Sequence, residues 1–265
     1  MSSCPELLDH IQAEQHVVQL YGSDDRLLSR NVGRYLEEGL KRGDGLIVIA
    51  TPAHRISFAH HLTSQAGYPA AILEGRLVFL DAAATLGRFI VEGMPDPGLF
   101  DQVVGEALRN VRRNSGHTGV RAYGEMVGLL WTAGNHTGAS RLEELWNQLL
   151  KGSDVRLFCA YPLDVFGPDF QIDTVDPVLC SHTHLLPVDP ALQEALDRAM
   201  DEVLGARAED IRGLIRANHR PAWGTIPPAE SMVLWLRNNL PGSAPAILQL
   251  ARTYYDSLPE SAASS

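Results

Sequence analysis

GLIVIAT, residues 45–51, is the stretch that decides the fold. Its side chains are apolar on both faces, which is how an interior strand of a parallel sheet reads; a strand with one wet face would alternate. Gly43 before it and Pro52 after it keep it strand-sized. Upstream, HVVQLY at 16–21 is a second buried-strand run and stops at Gly22. Between the two runs, Leu27, Leu28, Val32, Tyr35, Leu36 and Leu40 recur at helical spacing. Ser23, Asp24 and Asp25 are N-cap candidates for that helix. Lys41 and Arg42 suit its negative end, and Gly43 stops it.

The alternation continues downstream. A helix runs from Pro52 to Leu62, and a strand from Leu77 to Leu80 ends at Asp81. Residues 82–92 read as helix, MPDPG at 94–98 as loop, and 99–113 as helix again. GVRAYGEM at 119–126 is a fourth strand leading into a turn, 138–151 a helix, and Val155–Tyr161 a fifth strand closed by Pro162. Strands separated by helices are joined most economically as parallel neighbours with right-handed crossovers. The expected fold class is therefore α/β, a mostly parallel sheet flanked by helices. At PVDP, 187–190, the composition changes. Residues 190–217 then read as one long, charged amphipathic helix, PAWGTIPP at 221–228 as a break, and 229–239 and 244–256 as helices. The tail ESAASS is expected to be disordered. These readings divide the chain into a core at 14–187 and a helical extension at 188–258.

The chain has 265 residues, long enough for one large domain with an appendage. Its net charge of -10 disfavours a nonspecific phosphate-binding surface, so no direct nucleic-acid partner is expected. Three cysteines, Cys4, Cys159 and Cys180, make no disulfide framework. The opening MSSCPELLDHIQAEQ has no basic start followed by an apolar run, and no apolar stretch approaches a membrane span. The cytoplasm is the expected location, with no membrane partner.

The turn after the first strand is where nucleotide chemistry would sit. A phosphate loop needs G-x-x-x-x-G-K-[ST], so that backbone N–H groups, Lys and Ser/Thr meet phosphates and magnesium. This turn reads YGSDDRLL, with one glycine, two adjacent acids and no Lys-Ser pair. Asp81 and Glu125 fall at strand ends, where ligands bind in open α/β sheets. Their plainer roles are a helix-capping Asp and a Glu paired with Arg121. His16 and Cys159 lie on the first and fifth strands. Imidazole and thiolate are good zinc or copper ligands, but two ligands complete no site, and neither a metal nor another cofactor is expected. Cys180, His182 and His184 would share one face of a terminal strand, an attractive metal trio whose plainer reading is a solvated sheet edge. There is no G-x-S-x-G elbow and no assignable catalytic triad. Tyr21, Tyr123, Tyr161, Trp131 and Trp146 read mostly as core, with some available to line a pocket.

Taken together, His16 with VVQLY, GLKRGDGLIVIAT at 39–51, LDA at 80–82, RAYGEMVGLLW at 121–131, LEELWNQL at 142–149 and LFCAYP at 157–162 resemble the MEDS domain, over roughly residues 14–185. This is a sensory domain of methanogen and methylotroph signalling proteins and of the dichloromethane-dehalogenase regulator. The resemblance implies a RecA-like core of the circadian-clock ATPase kind with degraded nucleotide motifs. It implies sensing of a small molecule, such as a simple hydrocarbon derivative, upstream of a kinase or transcription regulator. The family's characteristic His and Cys correspond to His16 and Cys159. Arg121, Tyr123, Gly124 and Glu125 match its most distinctive block. The ligand-site candidates are then His16, Tyr21, Asp81, Arg121, Tyr123, Glu125 and Cys159. Neither a kinase domain nor a convincing helix-turn-helix follows residue 187, so the output is expected to be a protein contact, with a homo-oligomer left open. A nucleotide- or metal-dependent hydrolase and an inactive ATPase-like scaffold are the alternatives.

Overall fold

A computed structural model describes residues 4–22, 25–116, 119–188, 190–217 and 226–257. Ser23, Asp24, most of PAWGTIPP and the ESAASS tail lie outside the described residues. In chain order the first elements are α1 (Cys4–Asp9), β1 (His16–Leu20), α2 (Arg26–Arg42), β2 (Gly45–Ala50), α3 (Pro52–Leu62), α4 (Tyr68–Leu73), β3 (Leu77–Asp81) and α5 (Ala82–Gly87). They are followed by β4 (Ile90–Val91), β5 (Met94–Pro95), α6 (Pro97–Phe100), a π turn at Asp101–Gly105, α7 (Glu106–Asn114), β6 (Val120–Gly124), α8 (Met126–Thr132), α9 (His136–Leu150), β7 (Val155–Tyr161), α10 (Ile172–Ser181) and β8 (His184–Leu186). The extension comprises α11 (Pro190–Leu204), a 3-10 turn, α12 (Ala208–Ala217), α13 (Pro228–Asn239) and α14 (Ala244–Ser257).

Six strands form one sheet in the order β3-β2-β6-β7-β1-β8, and every pairing in it is parallel. GLIVIAT is an interior strand, buried at every position from Gly45 to Ala50, as its sequence requires. Side chains leave a strand alternately, so one strand feeds two cores. Leu46 and Val48 join Leu28, Val32, Tyr35 and Phe58 on the face covered by α1 to α4. Ile47 and Ile49 join the larger core on the other face, under α5 and α7 to α10. Gly43 adopts φ 77° and closes α2, since only glycine takes that left-handed conformation at no cost.

Five local readings are corrected. The helix expected over 82–92 stops at Gly87, and the loop expected over 94–98 begins with a strand. Glu92 (φ 51°) and Gly93 (φ 81°) form a two-residue turn with positive φ at both centres, the primed hairpin turn, and pair β4 with β5. The single helix expected over 190–217 is broken at Gly205, whose φ of 56° is incompatible with helix. Cys180, His182 and His184 do not share a strand face. Val175, Val178 and Leu179 at helical spacing bury one side of α10, which leaves Cys180 exposed on the helix, puts His182 at its C-cap and starts β8 only at His184. Finally, Glu125 is not paired with Arg121, as described next.

Candidate functional site

The chain crosses to opposite faces of the sheet after adjacent strands at two places, the condition that opens a crevice at the carboxyl edge of an α/β sheet. After β2 it enters α3 on the smaller core, while after the neighbouring β6 it enters α8 on the larger one. After β1 it enters α2, while after the neighbouring β7 it goes on to α10. The side chains at this edge form a connected polar group. Glu125, buried just beyond β6, accepts from the Thr51 backbone N–H and lies 2.5 Å from His54 Nδ1. His54 Nε2 lies 3.0 Å from Asp25 Oδ2, and the Tyr123 hydroxyl donates to Glu125 Oε2 at 3.3 Å. The Tyr21 ring meets His54 edge-on. Burial opposes a charge on His54, but hydrogen bonds and charge from Glu125 and Asp25 outweigh it and raise its pKa. Two carboxyl groups thus face one imidazole ring. Asp25 occupies the N-cap position of α2, yet its side chain caps nothing and is turned to His54 instead. Gly22 lies against the side chain of Asp164. The described part of YGSDDRLL is therefore bordered by the carboxyl groups of Asp25 and Asp164.

The other candidates are distributed as follows. Asp81 caps α5, accepting from the Ala84 N–H at 2.8 Å, and sits 3.5 Å from Arg55. Arg121 lies low on β6, fully buried, with Nε donating to Asp44 Oδ2 at 2.9 Å and its guanidinium 5.0 Å from the centre of the Tyr35 ring. It does not reach the Glu125 group. His16 and Cys159 are also elsewhere. His16 begins β1 and Tyr21 follows its end, five residues and roughly 16 Å along an extended chain, on opposite faces.

His16 and Cys159 instead belong to a second, wholly buried group on the larger-core face. His16 Nε2 is 3.1 Å from Cys159 Sγ and 3.5 Å from Glu143 Oε2. His182 Nε2 is 3.3 Å from Glu143 Oε1, and the two imidazole centroids are 4.0 Å apart. The Tyr161 hydroxyl donates to Glu143 Oε1 at 2.6 Å. Burial pushes the His16 pKa down to about 4 and the Glu143 pKa up to about 8, the latter against a hydrogen bond from Tyr161. It also lifts Cys159 and depresses His182. Glu143, inside LEELWNQL, was not a candidate from the sequence. The signal was there: Leu142, Leu145 and Trp146 define the buried face of α9, and Glu143 falls on it too. Likewise His54, buried on α3, could have been found from its place one turn after the end of β2.

The fold and its carboxyl-edge site define a parallel α/β protein with an acidic, hydrogen-bonded group where such folds bind ligands. The profile of MEDS, the MEthanogen/methylotroph, DcmR Sensory domain, matches residues 15–183, more than half the chain. The chain belongs to this family of sensory domains. Comparisons with curated proteins and with solved structures gave no match. Among the described residues, no helix is long and apolar enough to cross a membrane.

Proposed function

We propose that this chain is a non-catalytic sensory module that binds a small molecule at the carboxyl edge of its sheet and passes the bound state on through protein contacts. The ligand would rest on Tyr21, His54, Tyr123 and Glu125. Two carboxyl groups against one histidine favour a small neutral or cationic polar head, such as the hydroxyl or amine of a simple hydrocarbon derivative, over an anion. The receiver would be a kinase or a transcription regulator in the cytoplasm, contacted through the helical extension. The parallel sheet would then be a RecA-like core with degraded nucleotide motifs.

The observation that supports it is the engagement of Glu125. This residue accepts from the Thr51 N–H and faces His54, at the strand ends where open α/β sheets bind ligands. A screen of short alcohols, amines and their halogenated relatives against the melting temperature tests the proposal. A ligand that binds this state alone raises stability by about 2.7 kcal/mol at a hundred times its Kd. Tyr21→Ala and Glu125→Gln should abolish the rise while keeping the far-ultraviolet circular dichroism. Turnover of Mg-ATP by the purified chain, lost in Glu125→Gln, would overturn the reading in favour of a hydrolase. A stable oligomer deaf to every small molecule would favour a scaffold.

A further inference from the structure

We propose that His16, Glu143, Cys159 and His182 form a closed, four-coordinate site for a divalent metal ion, best suited to zinc, that fastens α9 and α10 to the β1/β7 strand pair. The site is independent of the ligand-binding proposal above, since it lies on the other face of the sheet and at the other end of β1.

The first support is convergence. The four residues come from β1, α9, β7 and the C-cap of α10, and their ligand atoms all lie within 4.8 Å of one another. Bonds of about 2.0 Å to nitrogen or oxygen and 2.3 Å to sulfur place tetrahedral ligands roughly 3.3–3.6 Å apart. The separations of 3.1, 3.3 and 3.5 Å are already of that size. The remaining pairs lie within 4.8 Å.

The second is the orientation of the two imidazoles. His182 Nδ1 is 2.6 Å from the Val178 carbonyl oxygen, which can only accept, so Nδ1 carries the proton and Nε2 keeps its lone pair. His16 Nδ1 is 3.0 Å from Asn147 Oδ1, and the Asn147 amide is held that way round because its Nδ2 donates to the Ser181 carbonyl at 2.9 Å. Both Nε2 lone pairs therefore point into the group. A carbonyl behind each ring is the outer-shell arrangement that aims histidines at metals. The third is polar atoms without partners. His182 Nε2 and Glu143 Oε2 are buried with no hydrogen bond, an arrangement native interiors seldom keep without something to satisfy it.

Donor chemistry then selects the ion. One sulfur and two imidazoles are wrong for magnesium or calcium and right for zinc. Thiolate and carboxylate against a dipositive ion make a neutral buried unit; a monovalent copper ion would leave a net negative charge in the core. With four protein ligands and no exposed member, the site has no vacant position for water. It is built to hold structure rather than to activate a substrate.

The test uses the full chain with Cys4→Ser and Cys180→Ser, so that Cys159 is the single thiol. The chain is stripped with chelator, desalted and titrated with cobalt(II), then zinc. One cobalt per chain is expected, with near-ultraviolet thiolate-to-cobalt absorption and the intense visible bands of tetrahedral cobalt, both removed by one equivalent of zinc. Asn147→Leu, which removes the acceptor behind His16 Nδ1 and the bond to the Ser181 carbonyl but none of the four ligands, should weaken metal affinity about 10–100-fold at unchanged secondary structure. His182→Gln should remove the tetrahedral spectrum. If Cys159→Ser fails to fold, the titration of the single-thiol chain still decides. A folded single-thiol chain that takes up neither metal, or shows no thiolate band, overturns the proposal and leaves the group an uncharged hydrogen-bonded cluster.

Discussion

Arg121 is one of the largest fully buried side chains, and its partner Asp44 is buried with it. The guanidinium also reaches the Leu8 and Tyr35 carbonyls, tying β6 to α1 and α2. Removing one member of such a pair strands the other charge in the core and costs about 3–5 kcal/mol. Arg121→Ala should therefore lower the unfolding free energy by that much, read as a lower urea midpoint at unchanged m-value, and a near-native midpoint would show that the pair is not buried as described. A change in sensing by this variant would thus not place Arg121 in the ligand site. Glu125→Gln and Tyr21→Ala are the variants that separate binding from folding. His54 behaves differently. Its folded pKa is raised, so its contribution to stability is present in full below the unfolded value of about 6.5 and is lost as pH rises through the folded value. In a proton-detected titration, His54 should stay protonated above the ordinary histidine value of about 6.5. Glu125→Gln should lower its midpoint; an unmoved midpoint would mean that the two groups do not touch in solution.

Among the elements, the interior strands were the most legible, because burial on both faces leaves a continuous apolar signature in HVVQLY, GLIVIAT and VRLFCAY. What escaped was set by single backbone positions. The hairpin β4/β5 depends on two positive φ angles at Glu92 and Gly93, and the break between α11 and α12 on one at Gly205, while their flanking residues fit a helix as well. Cys180 to His184 went wrong for a related reason: alternate residues share a strand face only if the segment is a strand, and three apolar side chains upstream had already made it a helix. The site was legible by residue type but not by grouping. His16 and Cys159 were paired correctly, whereas Glu143, 16 positions before Cys159, and His54 meet their partners only through the crossovers. One element has a pH-dependent clasp. Glu230 on α13 accepts from the Val188 N–H at 2.6 Å, and burial pushes its pKa up to about 7. Its unfolded value is lower, so stability is present below about 4.5 and falls as pH rises through about 7. Glu230→Gln should leave the melting temperature near pH 4.5 almost unchanged and raise stability at pH 8 by about 2–3 kcal/mol, flattening the melting-temperature profile between them. An equal effect at both pH values would assign the change to packing instead.

At the scale of the molecule, the question is whether the extension stands apart from the sensory core whose profile match ends at residue 183. The apolar interior argues against independence. Leu192, Leu196, Ala199 and Met200 of α11 and Ile247, Leu248 and Ala251 of α14 belong to the same buried cluster as Val175 of α10 and Cys159 of β7. The loop after β7 is held from the far side: Arg252 pairs with Asp164 at 2.6 Å, Arg237 donates to the Phe166 and Gly167 carbonyls, and the Phe166 ring meets Tyr255. That loop follows the strand that borders the carboxyl edge, and Asp164 lies against Gly22. A ligand that shifts Gly22 or Asp25 would thus press on a segment already gripped by α13 and α14, which is the physical route by which binding could bias a partner surface on the extension. A chain ending at residue 187 would expose the apolar faces that α11 and α14 now cover and leave Asp164 without Arg252. It should melt well below the full chain and self-associate, read by scanning calorimetry and by light scattering across a concentration series. A truncated chain that stays monomeric and melts with the full-length protein would make the extension a separate domain, and the proposed route from ligand to partner would have to leave the core elsewhere.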